Sequence, residues 1–512
     1  MLNSNVFRRL DEMVGGVTVA ALGVSFVMYL GVGYILGRKT RGIADLLPLG
    51  FGRQARVASS GEFSASTVAT TISLATVVLA FFEMAESFGV WLFWTVVTTS
   101  LGLCVVRLFA RRIWKRMEAY DHRPTLHEFL GTEYNSEALS YVSAACTSMG
   151  FLAAFAVELT VGSKFFGWLV PGIPTWIVVL VLSVVSFVYT AMGGFRAVII
   201  TDRIQMVSIW LLLLAMPVFY LLHIAGHGGL TENFSKVPTE VWSFSVRDGL
   251  WSFMLGIVII NVPTFLSDMS VWQRIAGAQK DQTVTGGLWA SVIGSAITWT
   301  AFVLLACSAF LIVPQPGNRL LLVCVLEAIG QYDGFMGGLI LFCIVLGLYG
   351  AMLSTASTQL IAVSHSLYED LFCRRRGRAL KDRIRSIREL RISRTILVGS
   401  ALISMVLVLT LSRVGFSIAD LVFAIYGAQV GLCPLAICAL LLDRRQLKGM
   451  SDWAASALTA GFVIGWGSAL FGRLMNHTQM VYLAPAFSLL TSAGLLGIGF
   501  FVSGGIRKDP KP

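Results

Sequence analysis

The chain has 512 residues, of which 56% are hydrophobic and only 13% carry a charge. Soluble proteins contain roughly 25% charged residues, so the composition excludes a string of soluble domains and indicates that most of the surface faces lipid. The net charge of +11 would favour a nucleic-acid partner in a soluble chain. Here most of the basic residues lie in connections on one side of the predicted membrane spans, so we expect no nucleic-acid partner.

Thirteen segments are apolar enough to span a membrane, which takes about 20 residues per helix. We predict them at residues 13–36, 60–82, 86–107, 138–168, 174–193, 196–223, 246–266, 284–312, 334–369, 394–412, 418–442, 452–473 and 481–504. The prediction is an all-α polytopic protein with one transmembrane domain over residues 1–504 and a cytoplasmic tail at 505–512.

The basic residues predict the sidedness, because Lys and Arg concentrate in cytoplasmic loops. With the N-terminus outside, the inner connections contain 30 of the 39 Lys and Arg residues. We therefore expect a multi-pass protein of the plasma (inner) membrane whose C-terminus is cytoplasmic. The basic run between Arg374 and Arg394 leaves two interpretations open, namely a solvated loop or an amphipathic helix on anionic lipids.

Polar residues cluster within three of the predicted spans. The second contains Thr70, Thr71, Ser73 and Thr76; the seventh contains Asn261, Pro263 and Thr264; and the ninth contains Ser354, Thr355, Ser357 and Thr358. Unsatisfied polar groups are costly in hydrocarbon, so such clusters usually line a cavity or a transport pathway.

Pro263 predicts a break in the seventh helix near residues 261–263, because proline removes a backbone donor. The seventh helix lies five after the second, and inverted repeats of five helices place discontinuous helices at such positions, so we predict that helices 2 and 7 are both broken. We predict repeats over residues 60–223 and 246–442, an extra N-terminal helix at 13–36, and two C-terminal helices within 452–504.

The hydroxyl block of the ninth span is typical of a weak cation site. Ser354, Ser357 and Thr358 share one helical face, with Ala351 one turn earlier. Hydroxyl and carbonyl oxygens without a fixed negative charge suit a monovalent cation better than calcium. Close packing of helices through Ser and Thr explains the same residues, and this alternative stays open here.

Three stretches resemble one family of transporters. They read YTAMGGFRAVIITDRIQ at residues 189–205, SVWQRIAGAQ at 270–279 and GAMLSTASTQL at 350–360. They are similar to the sodium:solute symporter family, and the resemblance extends over about residues 13–504. It implies a LeuT-like fold with Na+ as the coupling ion, which imports a small organic solute by alternating access.

The alternative is a transporter-like solute sensor or regulatory subunit without sustained flux. We expect no enzymatic activity, because the sequence has no pairing of a nucleophile with a base and no phosphate loop.

The resemblance also implies specific ion ligands. The main sodium site would use backbone oxygens of Ala69, Ile72 and Ala351 and the hydroxyls of Ser354 and Thr355. A second sodium site, present in some family members, would use Asp202, Ser354, Ser357 and Thr358. The alternative for Asp202 is a solvated or helix-capping carboxylate near the Gly193-Gly194 turn.

The chain departs from the family after its second polar cluster. Family members usually have a glycine-rich stretch there, whereas this chain reads VLAFFEMAESFG from Val78, one residue longer. We predict that Glu83 and Glu86 of this stretch form an outward-facing polar rim.

Solute contacts are expected where the broken helices meet the third, fourth and eleventh. The candidates are Thr71, Thr76, Glu158, Asn261, Thr264, Tyr426 and Gln429, with Phe81 and Phe82 as apolar lids. Glu158 could attract an amine, or it could pair with Lys164. No Arg is expected deep in the core, which disfavours an anionic solute held by a guanidinium.

Overall fold

Helices make up most of the chain, and their bounds follow from a computed structural model that describes residues 4–50, 57–332, 334–373, 386–411 and 418–503. The long helices are α1 (Ser4–Gly37), α2 (Ser60–Thr71), α3 (Ala80–Phe88), α4 (Phe93–Met117), α5 (Glu137–Leu169), α6 (Thr175–Gly226), α7 (Leu250–Ser267), α8 (Met269–Gly277), α9 (Asp281–Ser308), α10 (Phe335–Ser366), α11 (Ile387–Leu411), α12 (Ile418–Gln429), α13 (Cys433–Leu441), α14 (Ser451–Leu474) and α15 (Thr478–Val502).

Shorter helical segments lie between them, at Ile43–Leu46, Leu74–Leu79, Gly89–Leu92, Leu126–Glu133, Gly229–Ser235, Ala309–Leu311, Leu321–Gly330, Leu367–Cys373, Val430–Leu432 and Arg444–Gly449. The only β-pairing within the described ranges is an isolated bridge between Val57 and Ala278.

The described residues contain eleven helices that are long and apolar enough to cross a bilayer. One of them, α6, has 52 residues, which at 1.5 Å per residue is about 78 Å, more than twice the hydrocarbon thickness. Its backbone leaves the helical region at Gly194, with φ 62° and ψ −154°. This bend is consistent with two crossings within α6. The total of thirteen crossings stays a prediction.

The bend in α6 depends on the absence of a side chain at Gly194. A Cβ there would lie 2.5 Å from the carbonyl oxygen of Leu46. Two residues later, Arg196 binds Glu62 at the start of α2 through two hydrogen bonds of 2.7 and 2.8 Å. Residues 193–196, the GGFR part of the family-like stretch at 189–205, thus turn the chain and connect α6 to α2.

The predicted break in the second helix is confirmed. Helix α2 ends at Thr71, Ile72 and Ser73 have non-helical backbone angles, and the chain resumes as a π-helix at Leu74–Leu79 before α3. A π-turn takes up one extra residue within a helix.

The seventh helix is also broken, but the predicted position of the break is wrong. Helix α7 continues through Asn261 and Pro263, and the chain changes direction at Asp268, with ψ 115°. The Asp268 carboxylate accepts the backbone N–H of Ser270 at 2.6 Å and so caps α8. Proline removes one backbone donor, which α7 tolerates, whereas the side-chain cap starts a new helix.

Helix α10 lies at the centre of the protein and packs against α1, α2, α5 and α6. Helices α7 and α9 both pack on α4, and α12 packs on α5, α14 and α15. This arrangement brings the breaks after α2 and α7 near α10.

Two predictions concern residues outside the described part. These are the tail at 505–512 and most of the basic run between Arg374 and Arg394. Arg394 itself is described, and its guanidinium donates to the carbonyls of Ala191 and Met192 at 2.8 and 3.0 Å. At this end of the basic run, the Arg394 side chain therefore binds backbone carbonyls of the protein itself.

Candidate ion and solute sites

The end of α2 meets the middle of α10 in the protein interior. The Ser354 hydroxyl lies 2.9 Å from the carbonyl oxygens of both Ala69 and Ala351. All three residues are fully buried. One predicted ligand of the main sodium site, the Ser354 hydroxyl, is therefore in direct contact with two of the other four.

The other two predicted ligands lie beside this group. Ile72 follows the last turn of α2, and its N–H donates to the Ala69 carbonyl at 3.2 Å. The Thr355 hydroxyl is buried and has no hydrogen-bond partner in the described part of the chain. A buried hydroxyl without a partner is costly. The uncharged oxygen set and this spare hydroxyl fit a bound monovalent cation.

Asp202 is held in a buried network instead of being solvated. Its Oδ2 accepts from Ser66 and lies 3.4 Å from Nη2 of Arg274. Arg274 also donates to the hydroxyls of Ser66 at 2.8 Å and Thr358 at 3.1 Å. Arg274 is 1% exposed, so the expectation that no Arg lies deep in the core is wrong.

This network includes two of the four residues predicted for the second sodium site, Asp202 and Thr358. The other two, Ser354 and Ser357, are on the same stretch of α10, and the Ser357 hydroxyl donates to the Ser354 carbonyl at 3.4 Å. The second carboxylate oxygen of Asp202 has no partner among the described residues. The guanidinium of Arg274 supplies the positive charge that faces Asp202 in this structure.

Glu158 has a role that neither sequence interpretation included. Its carboxylate accepts the Ser73 hydroxyl at 2.5 Å and the backbone N–H of Leu74 at 2.8 Å, and it lies 3.3 Å from the N–H of Ala75. It therefore caps the helix that restarts after the break. Lys164, the predicted ion-pair partner, is exposed and lines a different cavity.

A cavity of about 140 Å³ lies beside the ion site. Its described wall contains Thr70, Thr71, Thr76, Val77, Ala80, Phe81, Met84, Thr95, Phe151, Ile257, Ile260, Asn261, Thr264, Phe265, Asp268, Ser270, Trp299, Thr355, Thr358, Gln359, Phe423 and Tyr426. Five of the seven predicted solute contacts are in this wall, namely Thr71, Thr76, Asn261, Thr264 and Tyr426.

The other two predicted contacts, Glu158 and Gln429, are not in the wall. Glu158 is engaged by the helix restart, and the Gln429 amide fills the space beside Gly150 of α5. Phe81 is in the wall, whereas Phe82 lines a second cavity, the one that also contains Lys164. The side chain of Asn261 donates to the hydroxyls of Thr98 and Thr99 at 3.0 Å each.

Sequence reasoning missed Asp268, Trp299 and Arg274. The pattern Asp-Met-Ser after an apolar run is a usable signal for Asp268, since Asp is a preferred N-cap residue. For Trp299 and Arg274 the sequence gives little indication, because long-range packing decides where each side chain lies.

A second cavity of about 450 Å³ contains the acidic residues of the longer stretch. Glu83 and Glu86 line it together with Lys164 and Arg319. The two acidic residues thus share this cavity with two basic residues. Their outward orientation stays a prediction.

Comparison with known proteins gives the family. The family model of the sodium:solute symporter family matches residues 47–450. The chain belongs to this family. Its coupling ion is therefore sodium, a cation that suits the uncharged oxygen donors at the ion site.

Two curated members of the family come from Bacillus subtilis (strain 168). The high-affinity proline transporter PutP is 22% identical over 330 residues, which are 63% of this chain and 64% of that transporter. The chain therefore spans less than two thirds of PutP. The osmoregulated proline transporter OpuE is 22% identical over 500 residues, covering 93% of this chain and 94% of OpuE.

A solved structure of a Na+-coupled sialic acid symporter, in a substrate-bound outward-open state, has the same fold. It superimposes with a TM-score of 0.72 at 16% identity, covering 96% of this chain and 99% of the other. The LeuT-like architecture expected from the sequence resemblance is thus shown for this symporter-family chain.

Proposed function

We propose that the protein imports a small organic solute by coupling it to inward movement of Na+, through alternating access. The contact of the Ser354 hydroxyl with the Ala69 and Ala351 carbonyls, at 2.9 Å each, carries this proposal. It joins a broken helix to α10 through uncharged oxygen atoms, and the solute cavity begins at the neighbouring Thr355.

The proposed main sodium ligands are the backbone oxygens of Ala69, Ile72 and Ala351 and the hydroxyls of Ser354 and Thr355. When bound, the ion would supply the positive charge that holds α2 and α10 together and orders the cavity wall. The solute would contact Thr71, Thr76, Asn261, Thr264 and Tyr426, which all line the cavity.

A second sodium ion at Asp202, Ser354, Ser357 and Thr358 is a further proposal. The unpartnered oxygen of Asp202 supports it. The contact of Arg274 with Asp202 opposes it, so binding there would require the guanidinium to move away. The assignment of repeats to residues 60–223 and 246–442, the plasma-membrane location and the outside N-terminus are also proposals.

Transport can be tested with the purified full-length chain. We expect Na+ to raise its melting temperature above the value in K+ at equal ionic strength, because a ligand of the folded state stabilises it by mass action. A solute that adds to this effect only in Na+ should then accumulate in proteoliposomes under an inward Na+ gradient. Equal melting temperatures in Na+ and K+ would contradict sodium coupling. Sodium-dependent binding without accumulation would instead support a sensor.

A further inference from the structure

In the described wall of the solute cavity, one side chain carries a charge, and that charge is negative. Among the described lining residues, Asp268 is acidic, and none is Lys, Arg or His. One oxygen of its carboxylate accepts the Ser270 N–H at 2.6 Å. The Ser270 hydroxyl and the Val271 N–H also bond to this carboxylate, but a carboxylate offers about four acceptor sites, so it can also bind a positively charged group.

Aromatic rings form much of the rest of this wall. They belong to Phe81, Phe151, Phe265, Trp299, Phe423 and Tyr426. Phe81 and Trp299 meet edge to face, with ring centroids 5.5 Å apart. Aromatic faces attract cations through the ring quadrupole, and aromatic cages are a common way to bind quaternary ammonium groups.

The protein's own carboxylates occupy the nearby groups that could bind an anion. The N–H groups at the start of a helix form an anion site, but Glu158 already takes those of Leu74 and Ala75. The guanidinium of Arg274 is bound to Asp202, Ser66 and Thr358. An anionic solute would therefore find neither group free and would meet Asp268.

We infer that the solute of this symporter is a compact organic cation, either an amine or a quaternary ammonium compound, held by the aromatic wall and Asp268. The inference rests on the proposed function and names its substrate class. A solute with a net negative charge is rejected because none of the described residues that line the cavity is Lys, Arg or His.

A pair of probes that differ in charge alone tests this inference. Choline and 3,3-dimethylbutan-1-ol have nearly the same shape, but only choline is charged. We expect choline and tetramethylammonium to raise the melting temperature of the full-length protein in Na+. The neutral alcohol should need about a tenfold higher concentration for the same effect, and N-acetylneuraminate should have none.

Two variants locate the binding group. Trp299→Leu should weaken choline binding at least about fivefold while leaving the response to the neutral alcohol nearly unchanged. The control is Trp289→Leu on the same helix α9, since Trp289 is 53% exposed and Trp299 only 7%. Asp268→Asn should also lower the preference for choline over the alcohol, and because Asn caps helices as well as Asp does, α8 should remain folded.

The outcomes separate this inference from the proposed function. Sodium stabilisation without any solute supports the ion site by itself, and its absence overturns the proposed function. If sodium stabilises the protein but no cationic probe does, or if the neutral or anionic probe binds as well as choline, the inferred substrate class is wrong. The inferred substrate class is also wrong if the Asp268→Asn variant and the Trp299→Leu variant both keep the preference of the unmodified protein for choline over the neutral alcohol.

Discussion

The Ser354 hydroxyl donates to the Ala69 carbonyl at 2.9 Å, although 285 residues separate the two positions. The carbonyl belongs to the last turn of α2, where the helix ends at Thr71; the Ile72 N–H donates to it at 3.2 Å, and its second lone pair is available to the Ser354 hydroxyl. A helix break therefore provides the acceptor, and an intact helix, α10, provides the hydroxyl. This pairing requires both helices to stay in contact.

Replacing Ser354 and Thr355 by Ala should weaken sodium binding. Each change removes an oxygen ligand, and Thr355 offers a buried hydroxyl without another partner in the described residues. We expect the double variant to need at least about tenfold more Na+ for half-maximal stabilisation, equivalent to about 1.4 kcal/mol. A Na+ titration of the melting temperature, followed by uptake in proteoliposomes, measures the change.

Ser364→Ala is the matched control for this double variant. Ser364 is also a buried serine of α10, but it donates to the Ser393 carbonyl at 3.3 Å, away from the ion site. Its sodium titration should match that of the unmodified protein. An unchanged titration in the double variant would reject the proposed ligands.

Asp202→Asn should affect both stability and sodium stoichiometry. The change leaves the Arg274 guanidinium buried without its carboxylate, and breaking a buried pair costs about 3–5 kcal/mol. If the second site binds sodium, the Hill coefficient for Na+ should also fall from about two to about one. Thermal melts and sodium-dependent uptake measure the two effects separately.

The double variant Asp202→Asn with Arg274→Gln separates these effects. Removing both charges should recover much of the lost stability, because neither member of the Asp202–Arg274 pair is then left buried without the other. A Hill coefficient that stays low in this stabilised variant would assign the change to the second site. A coefficient near two in both variants would exclude Asp202 as a ligand.

The sequence predicted the fold and the pairing of α2 with α10 because their signals are local. Hydroxyl clusters, the Gly-Gly turn and the family motifs each lie within one segment. The position of the second break was wrong because Pro263 is a strong sequence signal, whereas the cap at Asp268 depends on one side-chain hydrogen bond. The Asp202–Arg274 pair was missed because nothing in the segment around either residue indicates the other as its partner.

Glu158→Gln should disturb the break after α2. The carboxylate accepts from the Ser73 hydroxyl and from two backbone N–H groups, whereas an amide has only one acceptor oxygen and adds two donors. At least one buried donor then loses its partner, which costs about 1–3 kcal/mol. We expect a lower melting temperature and a weaker response to Na+, because Ile72 lies directly before the disturbed turn.

Lys164→Ala provides the comparison for this variant. Lys164 is on the same helix α5 as Glu158, but it is exposed and lines the second cavity, with Glu83 and Glu86. Its sodium response should remain that of the unmodified protein. If Glu158→Gln leaves both the melting temperature and the sodium response unchanged, the carboxylate does not stabilise the break.

Gly194→Ala should prevent correct packing of α6 against the segment that contains Leu46. With φ 62° and ψ −154°, Gly194 has a backbone conformation that is nearly exclusive to glycine and costs other residues about 1–3 kcal/mol. The added Cβ would also lie 2.5 Å from the Leu46 carbonyl oxygen. Gly399→Ala in α11 is the control, because no described atom outside the adjoining turns of its own helix lies within 4 Å of a Cβ there, and alanine should favour the helix by about 0.5–1 kcal/mol. We expect Gly194→Ala to reduce the folded fraction in detergent-solubilised material, measured by size-exclusion chromatography, and Gly399→Ala to preserve it. Equal yields of folded protein from the two variants would show that α6 does not need its bend at residue 194.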